Sequence, residues 1–139
     1  MKISIELYLK RLASDLNLDG LYSAVEPKHF QISISGIEKI NINELENEIQ
    51  ISSSVGKLIE NLDEEKTYSY LLYANFLGQG TGRSALSIHP DDKTITLSQI
   101  LFFDIDYQYF KEIMEEFINY VDYLKGHLEE KIPTFLREI

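Results

Sequence analysis

The sequence predicts an α+β fold in the order α-β-β-β-α-β-β-α, an antiparallel sheet flanked by helices. Two long segments near the ends, 2–17 and 106–128, place apolar residues at helical spacing. Between them, short segments alternate apolar and polar residues and are separated by brief turns, the mark of half-buried strands. With 139 residues, no internal repeat and no Pro/Gly/Ser linker, the chain reads as one domain over 1–139.

In the first helix, Ile5, Tyr8, Leu9, Leu12, Ala13 and Leu16 share one face, with Asn17 and Gly20 as the stop. Ile3 and Leu7 fall on the opposite side, beside Lys10 and Arg11. Three strands are expected next, Phe30–Ser35, Ile37–Ile42 and Glu48–Ser54, forming a meander with one wet face. Asn43–Asn47 reads as the turn before the third. Residues 64–77 form a helix with Asp63 as N-cap and Glu64 and Glu65 at its positive end. Its apolar residues run nearly all round, so it needs cover on every side, more than one small sheet supplies. Strands Ser84–His89 and Thr94–Leu101 follow, joined through Pro90 and Asp91. In the last helix Phe110, Met114, Phe117, Val121, Leu124 and Leu128 recur at 3–4 spacing. Gly126 and Pro133 mark where regular helix should fade.

Charge and composition exclude several functions. There are 13 Lys and Arg against 23 Asp and Glu, a formal net charge of −10. Residues 1–60 carry 6 basic and 9 acidic side chains, and residues 61–139 carry 7 and 14. Such a body repels nucleic acid, whose binders cluster Lys and Arg to displace counterions. The absence of cysteine removes disulfides, thiolate metal sites and cysteine nucleophiles. No apolar run approaches the ~20 residues of a membrane span, and Glu6 and Lys10 interrupt the start as no secretory signal would. The expectation is a cytoplasmic protein bound to neither nucleic acid nor membrane.

No catalytic constellation emerges. Gly78-Gln79-Gly80-Thr81-Gly82-Arg83-Ser84 lacks the lysine of a phosphate-binding loop, and it leads from helix to strand rather than the reverse. His29, His89 and His127 are far apart, with no carboxylates at metal-ligand spacing. The acidic pairs at 64–65, 91–92, 115–116 and 129–130 sit on turns or polar helix faces, as solvated charge does. No enzymatic activity, cofactor or metal is expected.

The segment Leu71-Leu72-Tyr73-Ala74-Asn75-Phe76-Leu77-Gly78-Gln79-Gly80-Thr81-Gly82 carries a resemblance. A helix ending in a Leu-x-x-Asn-Leu-like segment, a Gly-rich turn and then the strand Ser84–His89 resemble the class I type III secretion chaperones, the Tir chaperone (CesT) family. The element order matches that family from end to end. Arg83 and Tyr73 depart from its pattern, being bulkier than is usual there.

The resemblance implies a bacterial cytosolic chaperone that holds the N-terminal segment of a secreted effector extended. It would present that segment to the export apparatus, whose ATPase is a further partner, and would hydrolyse no nucleotide itself. It implies a homodimer, and the all-round apolar helix places Leu71, Leu72, Ala74, Asn75 and Phe76 near the two-fold axis. In that family the first helix and adjoining sheet receive the client, which nominates Ile3, Leu7, Phe30, Ile32, Ile34, Ile40 and Ile42. Ile3 and Leu7 have an alternative, packing on Phe135 and Leu136 of the same chain. The alternative function is a regulatory or interaction subunit of this fold that exports nothing. A third reading, a ligand-binding domain or enzyme built on the 78–84 loop, predicts a thermal shift with nucleotide.

Overall fold

The computed structural model describes residues 5–18, 20–34, 39–57, 84–89, 93–102 and 104–138, the last of these as backbone only from 126. The expected helix over 64–77, the Gly-rich turn, Ile3 and the pairing residues Leu71, Leu72, Ala74, Asn75 and Phe76 lie outside these residues.

Helix α1 (Ile5–Asp15) opens the chain, followed by β1 (Tyr22–Glu26), β2 (His29–Ile32), β3 (Ile40–Glu44) and β4 (Glu48–Lys57). After the 58–83 segment come β5 (Ala85–Ile88), β6 (Thr94–Phe102) and α2 (Tyr107–Glu138). The six strands form one sheet in the order β1-β2-β3-β4-β6-β5, and every neighbouring pair is antiparallel.

Directly opposed residues share a face, so register decides what each side of the sheet carries. On the inner face Phe30, Ile42 and Ile51 stand in line, as do Ile32, Ile40, Ser53, Leu97 and Leu86. These side chains are buried in one core with Ile5, Leu9 and Leu12 of α1 and Phe110, Phe117, Val121 and Leu124 of α2. Both helices therefore cover the same face. Buried Ser53 donates its hydroxyl to the Lys39 carbonyl at 3.2 Å, which offsets the cost of burying it.

The outer face is different. One row runs across all six strands as Ser23, Gln31, Asn41, Ser52, Ser98 and Ala85. A second aligns His29, Asn43, Gln50 and Ile100. Asn41 Oδ1 accepts from Gln31 Nε2 at 3.0 Å and lies 3.1 Å from His29 Nε2.

Three expectations need correction. The first strand is β1, over residues 22–26, which shows no alternation because most of it is exposed. The segment expected over 37–42 pairs as Ile40–Glu44, since Asn43 and Glu44 continue the ladder opposite Gln50 and Ile49. The turn shrinks to Leu45–Asn47, closed by Leu45 N–H donating to the Glu48 carbonyl at 2.8 Å. Finally, α2 runs on to Glu138 through Gly126 and Pro133. A proline removes one backbone bond from the ladder but leaves the bonds of the flanking turns intact.

Helix ends are set by local chemistry. Asn17 at φ 54° and the Leu18 N–H to Ala13 carbonyl bond of 2.9 Å close α1 in a left-handed cap. Asp106 caps α2, its carboxylate accepting from the Tyr109 N–H at 2.8 Å. No helix among the described residues is long and apolar enough to cross a membrane.

Candidate client-binding groove

β1 is an edge strand, with β2 on one side and no strand on the other among the described residues. Its pairing with β2 slips between Ala24 and Glu26, a bulge that leaves Val25 unpaired and 49% exposed. The tight turn into β2 uses Pro27 and Lys28, the latter at φ 67°. The Lys28 carbonyl accepts from the Glu44 N–H at 2.8 Å, tying the turn to β3.

Between this hairpin and α1 lies a groove of about 430 Å³. Glu6 comes from the helix and Ala24, Val25 and Glu26 from the edge strand; Pro27, Lys28 and Phe30 complete the lining. Leu7, adjacent to Glu6 on α1, is 63% exposed. The arrangement offers apolar surface, a carboxylate on each side and an unpaired strand edge. That combination suits an extended polypeptide, which needs backbone partners and pockets for alternate side chains.

Helix α1 is fixed as a wall of this groove by an aromatic joint with α2. The Tyr8 hydroxyl donates to the Ile105 carbonyl at 2.9 Å, and its ring lies 5.5 Å from Tyr107 and 5.4 Å from Phe110. The Tyr107 hydroxyl donates to Asp15 Oδ2 at 2.6 Å, and the Arg11 guanidinium sits 4.1 Å over its ring. Lys111 stands 3.8 Å from the same carboxylate oxygen, a half-exposed pair worth little by itself.

Burial, and then donation to the Asp15 carboxylate, push the Tyr107 phenol up from 10.0 to about 12. The folded state thus keeps this proton where the unfolded chain has lost it. Stability from the joint is complete below pH 10 and is lost as pH rises through about 12. Tyr107→Phe should cost ~1–2 kcal/mol at neutral pH. It should also reduce the fall in stability between about pH 10 and 12, by up to ~2 kcal/mol. Urea unfolding of both proteins across that range measures it.

Of the six nominated client contacts among the described residues, Leu7 alone is a well-exposed side chain. Phe30, Ile32, Ile40 and Ile42 are corrected: they are buried, the last three completely, beneath α1 and α2. Phe30 reaches the groove only as part of its lining, and Ile34 is half-buried against the core. Their alternation reports burial by the chain's own helices. The alternative for Leu7, packing on Phe135 and Leu136, falls on side chains outside those described. Val25, which the sequence reading missed, is the second exposed apolar side chain at this site. Its signal was the Pro27–Lys28 turn, which implies a strand on either side. Among the described residues no cluster of His, Asp and Glu could hold a metal ion.

The sequence profile of the Tir chaperone protein (CesT) family matches residues 8–125, so the chain belongs to that family. The Chlamydia pneumoniae protein CPj0713/CpB0740 is 25% identical over 117 residues, covering 84% of this chain and 89% of its own. Two solved complexes share the fold. One chain of the ExsC–ExsE complex has a TM-score of 0.68 at 9% identity, covering 91% of this chain and 96% of its own. One from the heterodimeric ExoU–SpcU complex of the Pseudomonas aeruginosa type III secretion system has 0.60 at 11%, covering 84% and 93%.

Proposed function

We propose that the protein is a type III secretion chaperone of the bacterial cytoplasm, a homodimer without enzymatic activity. It binds the N-terminal segment of a secreted effector, keeps it extended and delivers it to the export apparatus, with the apparatus ATPase as acceptor. Family membership supports the class. The observation that carries the mode of binding is the edge of β1, unpaired among the described residues, beside the α1 groove, with Val25 exposed in its lining and Leu7 exposed on the same helix as Glu6. A client strand laid along β1 would satisfy the free backbone groups and cover both side chains.

Co-purification from the native cell identifies the effector, and its N-terminal segment is then titrated onto the chaperone. Burying each of these side chains contributes ~1.5–3 kcal/mol, so Leu7→Ser with Val25→Ser should weaken the client at least tenfold. The melting temperature should hardly move. Unchanged affinity would overturn the groove, and so would a large drop in melting temperature with binding retained in the cold. A partner that is never exported would favour the regulatory alternative.

A further inference from the structure

β1 offers an added strand few backbone partners. The Ser33 N–H donates to the Leu21 carbonyl at 2.8 Å, and the register continues through Tyr22–Ile32, Ser23–Gln31 and Ala24–Phe30. Bonded pairs alternate along an antiparallel ladder, so Ser23 is bonded to β2 while Tyr22 and Ala24 turn their N–H and C=O groups outward. Past Ala24 the bulge at Val25 breaks the alternation, and Pro27 brings no N–H. Regular pairing of a client strand is therefore confined to Tyr22 and Ala24. The rest of its grip must come from side chains.

The charged ones are Glu6 from α1 and Glu26 at the bulge, set around the surface of Val25 and Phe30. Lys28 is the one cation among the described lining residues. Among the described residues neither carboxylate takes part in an ion pair, and both are exposed to water. A client laid over the groove removes part of that water. Apolar or acidic client side chains there would leave two carboxylates shielded without a partner, which opposes binding.

We infer that Glu6 and Glu26 make the groove select a client that places a lysine or arginine beside them, just beyond its paired residues. Two carboxylates against one lysine leave the lining net negative, and the body at −10 adds to the attraction. Apolar contact supplies the grip, while the cation fixes register and the carboxylates reject acidic segments. The inference rests on the groove reading and names the chemistry of its client.

The probe is the N-terminal segment of the co-purified effector fused to a fluorescent protein, with each Lys and Arg reversed to Glu in turn. One reversal should weaken binding at least tenfold. Glu6→Lys with Glu26→Lys in the chaperone should recover at least tenfold for that reversed client, and should weaken the unaltered one as much. Glu112→Lys with Glu115→Lys, on exposed positions of α2, reverses as many charges and should rescue nothing. Equal rescue there makes the effect one of net charge and overturns the inference. A segment in which no reversal matters, or none is rescued, also overturns it; the groove reading then stands if Leu7→Ser with Val25→Ser still releases the segment. If that serine pair binds as wild type does, the groove reading falls and takes this inference with it. Should the lysine variant misfold, Glu6→Gln with Glu26→Gln supplies the answer. In that protein, changing the decisive client cation to Gln should alter affinity less than twofold, and a persisting tenfold loss overturns the assignment.

Discussion

Alanine at Phe110 is expected to destabilise the fold by ~3–5 kcal/mol, the range for emptying a large aromatic site in a closed core. The ring is fully buried and stands 5.4 Å from Tyr8, so its loss opens the joint that holds α1 against α2. The urea midpoint should fall with little change in slope, because the surface exposed on unfolding barely differs. Ile42→Ala should cost ~2–5 kcal/mol by the same mechanism. At a temperature where it remains folded, that variant should bind the effector segment as wild type does. An Ile42→Ala protein that is fully stable but fails to bind would return this strand to the client.

The second large effect concerns pairing. If Leu72 packs at the two-fold contact as proposed, Leu72→Asp should convert the homodimer to a monomer at micromolar concentration, since the loss of one Leu on each side then counts twice. Each contributes ~1.5–3 kcal/mol, before any penalty for confining a carboxylate there. Light scattering across a dilution series reads the change. A folded Leu72→Asp protein that remains dimeric would remove 71–76 from the interface.

Periodicity made much of the architecture legible, and it failed for definable reasons. Phe30 and Ile32, Ile40 and Ile42, and Ile49 and Ile51 alternate because one face of the sheet is buried, and the structure buries all six. Alternation says that a face is covered without saying what covers it. Four core residues were therefore open to being read as client contacts. β1 stayed hidden for the complementary reason: with most of its residues exposed, an edge strand has no dry face to print a period. Leu7 was legible as a misfit because the helical wheel fixes angles tightly, whereas Val25 depends on a bulge that no fixed period anticipates.

The position of β6 has a consequence for how the chain is made. β4 is a central strand whose partner on one side, β6, begins 37 residues beyond its end, with Lys57 opposite Thr94. The hairpins β1-β2, β2-β3 and β3-β4 close locally and can form as soon as they are synthesised. Until Phe102 has emerged, the ten residues of β4 remain an open edge, with Ile49, Ile51 and Val55 lacking the cover that α2 brings. Completion is thus postponed to the last third of translation, and nascent chains stalled before Thr94 should be prone to associate through β4. Refolding from urea should likewise be slow for a protein of this length, limited by closure of the β4–β6 ladder rather than by the meander.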